Sequence, residues 1–363
     1  MNLEEQIDSI YDQLYQLDGQ YTLKNKDIIF DLVQKAIQTK DKELEFEARL
    51  EYLSQLVFLN FYDEAIAYFP WFLNYKKNNP LGYYHYHHLV WSFKWIIIRV
   101  ASYGKIPLAQ INSLFQQFEN EVKEYGAGDK VIEYFSSIVQ LGIGNLEAAE
   151  EKYKKYRKLR KTSDLDDCYA CQINNMLDLH MAKRDYKKVI SEAKDLVSEK
   201  YSCKSVPKTT YPKVTFAHLM LGNTLKAEEF YQLSVKKLNL DEPQITNVYY
   251  LLFFLAKKNE LLKVKKLLDK QLDYVLKSNS DLDKFKFYLG CYLVFKNAVL
   301  HKNKKIKLKQ HDGLNCAYDE KGYDCLELEA WFKEKTISHS DFLDKRNNNT
   351  YYTDYYTFLD SHF

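Results

Sequence analysis

Apolar side chains recur along this chain at spacings that suit helices. Leu3, Ile7, Ile10, Leu14 and Leu17 stand three or four positions apart, which predicts an amphipathic helix over residues 1–20. Further along, one short pattern returns. A turn-forming pair is usually followed by an aromatic or aliphatic residue, then by a small residue three positions later, then by rings or leucines. It reads Asn60-Phe61-Tyr62-Asp63-Glu64-Ala65 before Tyr68 and Phe69, and Gly144-Asn145-Leu146-Glu147-Ala148-Ala149 before Tyr153. It returns as Arg184-Asp185-Tyr186-Lys187-Lys188-Val189 before Ala193, and as Gly222-Asn223-Thr224-Leu225-Lys226-Ala227 before Phe230 and Tyr231, with Thr224 the exception at the ring position. The last copy is Asn259-Glu260-Leu261-Leu262-Lys263-Val264 before Leu267 and Leu268.

The small positions Ala65, Ala149, Val189, Ala227 and Val264 lie 84, 40, 38 and 37 residues apart. The first gap holds two periods, with room for a degenerate copy between Leu81 and Phe118. A period near forty fits a two-helix unit. Such a hairpin cannot bury its apolar face alone, so copies must stack. Small residues let the paired helices approach, rings fill the groove to the next pair, and Gly, Asn or Asp adopts the positive φ of the tight turn.

Gly144 to Tyr153 and Asn60 to Phe69 resemble the turn and second helix of tetratricopeptide repeats, and the resemblance covers roughly residues 20–300. The early Trp and the closing Pro of that family are missing from most units. A narrower resemblance, to uncharacterised bacterial tetratricopeptide proteins, is carried by four stretches. They are Tyr83-Tyr84-His85-Tyr86-His87-His88-Leu89-Val90-Trp91 with Lys94-Trp95, Asp167-Cys168-Tyr169-Ala170-Cys171, Cys203, and Leu343-Asp344-Lys345-Arg346-Asn347-Asn348-Asn349-Thr350-Tyr351. What the resemblance implies is an all-α fold, a right-handed α-α superhelix (solenoid) of helical hairpins, cytosolic residence and no reaction. On this reading residues 1–300 form the array with the N-terminal helix as its cap. Residues 301–363 add a loop, a helix and an aromatic tail packed on it. Ser202–Pro212 reads as a loop, Asp312–Asp324 as an exposed loop, Leu326–Phe332 as the start of a terminal helix, and 347–349 as a break in order.

Composition supports long helices, since the 363 residues include only 11 Gly and 6 Pro. With 31 Tyr and 21 Phe against 4 Met, rings must supply much of the packing. The 52 basic and 50 acidic residues leave a net charge of +2, which argues against a nucleic-acid or membrane-surface partner. No apolar run reaches about 18 residues, the length of a membrane span. The start, Met1 to Glu5, lacks the basic and apolar regions of a signal peptide. Together these predict a cytoplasmic protein whose six Cys are mostly reduced.

The sharpest local motif is Cys168-x-x-Cys171, with Cys203 further on. A structural zinc ion on Cys168, Cys171 and Cys203 would pin a loop against a hairpin, although no fourth ligand is evident. Small thiols packed between helices, with no cofactor, are the reading adopted, and a redox pair is a further alternative. His85, His87, His88, Trp91, Lys94, Trp95 and Arg99 form a dense cluster in which His87, Trp91 and Lys94 share one helix face, either as a partner-binding patch or as core and solvated residues. Lys302, Lys304, Lys305, Lys307 and Lys309 make a basic stretch that reads either as a surface for RNA or an acidic protein or as a solvated helix end that the acidic residues after it can neutralise. The signatures G-x-S-x-G, G-x-x-x-x-G-K-[ST] and G-x-G-x-x-G are missing, so the chain reads as no enzyme.

In tetratricopeptide stacks the first helix of each hairpin lines the concave side, and projecting the register puts Tyr134, Asn174, Asp178, Phe216, Tyr249 and Phe253 there. That wall suits an extended peptide or a helix. The carboxylate-clamp subtype wants Lys and Asn where this chain has Asn174 and Asp178, and Asp178 would repel a chain terminus. The expected function is a cytosolic scaffold that docks or sequesters a protein or peptide, with a toxin-neutralising immunity protein as one specific form. A peptide-responsive sensor is the alternative. Turnover hosted after residue 300 is the third reading, weakened because that segment is short for an independent core.

Overall fold

The computed structural model describes residues 3–59, 61–160 and 162–363. The turn residue Asn60 of the first motif, the leading Met1-Asn2 and Lys161 lie outside them. The protein is all-α apart from one small sheet, and among the described residues no helix is long and apolar enough to cross a membrane. Its contacts divide it into two compact units: the first takes Ala109–Phe135 and Leu159–Leu165 besides the residues up to Ala101, and the second takes Ser102–Leu108, Ser136–Lys158 and the residues from Asp166 on.

The first unit holds α1 (Leu3–Leu17), α2 (Leu23–Thr39), α3 (Lys42–Phe58), α4 (Tyr62–Tyr68), α5 (Pro70–Asn78), α6 (Tyr83–Val100), most of α7 (Leu108–Tyr125) and the start of α8 (Asp129–Gly142). The predicted first helix is present as α1, and it buries Ile10 and Leu14 against α2 and α3. Thr22 and Asp41 cap α2 and α3 by accepting hydrogen bonds from the first free backbone N–H groups. Rings join the later helices. Phe69 stacks near Phe93 at 4.3 Å, Phe93 meets Phe118 edge-on at 5.6 Å, and Phe118 meets Phe135 edge-on at 5.7 Å. The space left for a degenerate repeat is thus filled by α6 and α7.

The second unit takes the rest of α8, then α9 (Leu146–Lys158), α10 (Tyr169–Ala182), α11 (Tyr186–Val197), α12 (Tyr211–Met220), α13 (Thr224–Lys237), α14 (Ile245–Lys258), α15 (Leu261–Lys277) and α16 (Asp281–Leu300). After these come β1 (Lys305–Ile306), β2 (Tyr318–Asp319), β3 (Gly322–Asp324), α17 (Cys325–Asn347) and α18 (Tyr351–His362). Helices pair as α10 with α11, α12 with α13 and α14 with α15, and α12 and α14 also touch the first helix of the preceding pair.

The turns explain the repeated sequence pattern. Gly144, Arg184, Gly222 and Asn259 all sit at positive φ, between 54° and 77°. At each, the next residue's N–H reaches a carbonyl five positions back, as from Asn145 to Gln140 and from Asp185 to His180. Five residues after each of these positions stands the predicted small residue. Ala149, Val189, Ala227 and Val264 are all fully buried, as is Ala65. At Gly144 a second demand applies, because a Cβ would lie 2.6 Å from the Tyr351 side chain.

Residues after 300 share the core of the second unit, and here two expectations need correcting. Asp312–Asp324 is not an exposed loop. It contributes β2 and β3 to an antiparallel sheet ordered β1-β3-β2, with Tyr323 buried. Strands of two or three residues are too short to leave an alternating pattern in sequence. Order is not lost after Asn347 either. Asn348 turns the chain at φ 55°, and Asp344 accepts from the N–H groups of Tyr352 and Thr353, at 2.9 and 2.8 Å, to start α18.

Candidate functional site

Three groups of residues carry the chemistry that the sequence suggested. Two lie in the second unit and one in the first.

The face built by α10, α12 and α14 is the wall predicted to receive a partner. Phe216, Tyr249 and Phe253 are buried there, and so is Asn174; Tyr134, in the first unit, is also buried. These five therefore pack the interior instead of presenting a surface, which corrects their expected exposure. Register alone gave the face, but not what covers it. On the second unit the cover is the chain's own α18. Tyr352 donates to the Gly142 carbonyl at 2.5 Å, and Asn349 donates to that of Ile143 at 2.8 Å. The Arg184 guanidinium lies 3.6 Å from the Phe358 ring centre. Phe363 sits 5.8 Å from Phe253, and Asp360 accepts from Tyr292 and Lys296, each at 2.7 Å. Burial, with Tyr355 and Asp178 adding to it, pushes the Tyr249 and Tyr250 phenols well above their ordinary range, so they pack as neutral groups.

Asn174 and Asp178, the positions compared with a carboxylate clamp, are engaged within the chain. The Asn174 side-chain oxygen accepts from Thr210 at 2.8 Å, and the Asn174 backbone carbonyl accepts from Lys213 at 2.8 Å. Asp178 accepts from Lys213 at 2.9 Å. The network fastens the end of the long connection between α11 and α12 to α10.

The start of the same connection returns to the first turn of α10 through sulfur. Cys168 is the N-cap of α10, and its Sγ accepts from the Cys171 N–H at 3.5 Å. Cys203 closes on Cys171 with the two Sγ atoms 3.4 Å apart, and the sulfurs of Cys168, Cys171 and Cys203 all lie within 4.8 Å of one another. Cys168 is exposed and the other two are half-buried. Burial works against ionising Cys203, yet the backbone N–H groups of Ser205 and Val206 and the two neighbouring thiols outweigh it and hold this thiol below its ordinary range. Burial and the adjacent sulfurs push Cys171 the other way. The structure thus brings together three residues that sequence could only set side by side. Among the described residues no fourth His, Cys, Asp or Glu joins them, and His180, which falls between them in sequence, is not part of the cluster.

In the first unit, His87, Trp91 and Lys94 do lie along one line of α6. His87 stacks 5.8 Å from Trp91, and the Lys94 ammonium sits 3.1 Å from the Trp91 ring centre. Lys94 is only 1% exposed and donates to the Leu165 carbonyl at 3.0 Å, so it braces the interior and does not face a partner. Sequence reasoning missed Asp164 here. Its carboxylate accepts from Tyr83 and Tyr125, both at 2.6 Å, with His87 at 3.9 Å. Burial opposes ionisation, but these two phenols, Ser163 and His87 bring Asp164 down to about 2. The acceptor is separated from its donors by 39 and 81 positions, so no local signal pointed to it.

Of the basic stretch, Lys305 pairs with Asp319, one of the acidic residues after it, whereas Lys309 finds Asp273, which precedes it, at 2.9 Å. Compared with known proteins, the chain matches no family model and shows no significant match to a curated protein.

Proposed function

We propose that this chain is a cytosolic, non-enzymatic scaffold of tetratricopeptide type, its hairpins winding as a right-handed superhelix, that docks or sequesters a protein or peptide partner. The observation that carries the reading is the seat of α18. Tyr352, Tyr355, Leu359 and Phe363 recur at helical spacing, and Leu359 is fully buried. They lie against the face the repeats present, which is the way a helix is held in a groove. Such a face accepts an amphipathic helix, and a partner helix with the same spacing of anchors competes with α18 for it. The immunity-protein form is one case, in which the sequestered partner is a toxin. The peptide-responsive alternative rests on the same seat, with release of α18 as its output.

Affinity capture from the native host followed by mass spectrometry tests the reading. It should use the full chain and an Asp360→Ala variant, which removes the carboxylate that accepts from Tyr292 and Lys296 and leaves at that position only the Lys296 bond to the residue-360 carbonyl. One stoichiometric protein partner, recovered more abundantly with the variant, is the expected result. Failure of both baits to retain any stoichiometric partner overturns it.

A further inference from the structure

We propose that Cys168, Cys171 and Cys203 form a binding site for one thiophilic d10 metal ion, with Zn2+ as its expected occupant, held by three sulfurs and a fourth ligand from solvent. The argument is independent of any partner on the repeat face.

Geometry comes first. Two segments 32 residues apart converge to place three Sγ atoms within 4.8 Å of one another, the nearest pair at 3.4 Å. Three sulfurs at a zinc–sulfur distance of about 2.3 Å in a tetrahedral arrangement stand about 3.8 Å from each other, so the ion needs only small side-chain rotations. Soft thiolate ligands select Zn2+ and Cu(I) over hard cations.

The surroundings suit bound thiolates. The Cys171 N–H points at Cys168 Sγ, at the positive end of a 14-residue helix. Backbone N–H groups of Ser205 and Val206 serve Cys203 in the same way. Such outer hydrogen bonds orient ligating sulfurs and offset part of their charge. Ala170, Leu177, Val206 and Val214 form an apolar cluster against which Cys171 and Cys203 pack. On binding, each ligating thiol releases its proton to solvent.

The site also has a mechanical use. Turns within the second unit's hairpins take two or three residues, whereas α11 and α12, which belong to successive pairs, are joined by 13 residues, Ser198–Thr210, against seven between α13 and α14. Asn174 and Lys213 fasten the far end of that connection. An ion on the three sulfurs fastens its near end and completes the attachment to α10.

The test uses the full chain, reduced and metal-free. Co2+ serves as the spectroscopic probe, and Zn2+ then displaces it. One equivalent of Co2+ should produce thiolate-to-cobalt charge-transfer absorption that one equivalent of Zn2+ abolishes. X-ray absorption of the zinc form should give three sulfur neighbours and one lighter neighbour. The band should be lost in Cys168→Ser, whose exposed side chain makes it the variant least able to disturb the fold, and in Cys203→Ser. It should persist in Cys316→Ser, with circular dichroism unchanged in all three. Zn2+ should also slow proteolytic cleavage within 198–210. A band that survives Cys203→Ser, or no band at one equivalent in a folded chain, overturns the proposal. So does isolation of the reduced-lysate protein with a Cys171–Cys203 disulfide that Zn2+ does not prevent.

Discussion

The same sequence signature, aromatic residues on one face of a helix, ends in opposite states in the two units. Tyr249 and Phe253 of α14 are sealed, and Phe363 of the chain's own tail lies against Phe253. His87 and Trp91 of α6 stay half-buried, and Tyr83 and Tyr84 at its start are 71% and 63% exposed. Nothing in the α14 sequence announces its cover, because the cover lies about a hundred residues away. The lesson is that periodicity identifies a face that needs apolar company but not who supplies it. In the second unit the chain supplies its own.

Four experiments sharpen or break that contrast. The largest effect belongs to Leu359→Asp, which puts a carboxylate at a position with no exposure. Unseating α18 should cost at least about 3 kcal/mol in chemical denaturation and expose residues after Asn349 to protease. If α18 stays protected, it is not the cover of that face. Trp91→Ala in the first unit, by contrast, should leave those residues protected.

Next comes Ala227→Leu, an addition at a fully buried point of close helix approach, which should destabilise by about 1–3 kcal/mol. Leu225→Ala, two residues earlier and 89% exposed, should change stability by no more than about 0.5 kcal/mol. Equal effects would mean that the small positions do not mark helix contacts.

Glu51 of the first unit is raised to about 7, chiefly by burial, with Asp18 adding to it and the Gln55 amide opposing. Its folded value lies above the unfolded one of about 4.3, so the folded state favours the protonated acid and loses stability as pH rises from about 4 through 7. Glu51→Gln should therefore be close to neutral at pH 4 and stabilising by about 1–3 kcal/mol at pH 8. A difference that does not grow with pH would remove burial as the cause.

The smallest effect is at Asp164, whose folded value of about 2 lies below the unfolded one near 3.9. Its stabilising contribution is present above about pH 4 and is lost as pH falls towards 2. Because the side chain is 45% exposed, Asp164→Asn should cost only about 0.2–1 kcal/mol at pH 7, with the gap closing near pH 2. A cost that persists at pH 2 would show that the carboxylate's charge is not what Tyr83 and Tyr125 respond to.

Much of this molecule could be read from its residues one neighbourhood at a time. The helical character, the first helix, the turns at Gly144, Arg184, Gly222 and Asn259, and the burial of Ala149, Val189, Ala227 and Val264 all follow from interactions within about ten residues. Backbone hydrogen bonding and side-chain volume act locally there, so local sequence determines the outcome. The pairing of β1 with β3, the seat of α18, the Asp164 acceptor and the meeting of Cys203 with Cys168 and Cys171 join residues from 17 to more than 200 positions apart. Those were decided only when the helices packed, because which distant group satisfies a buried face or a polar atom depends on where the whole chain folds back.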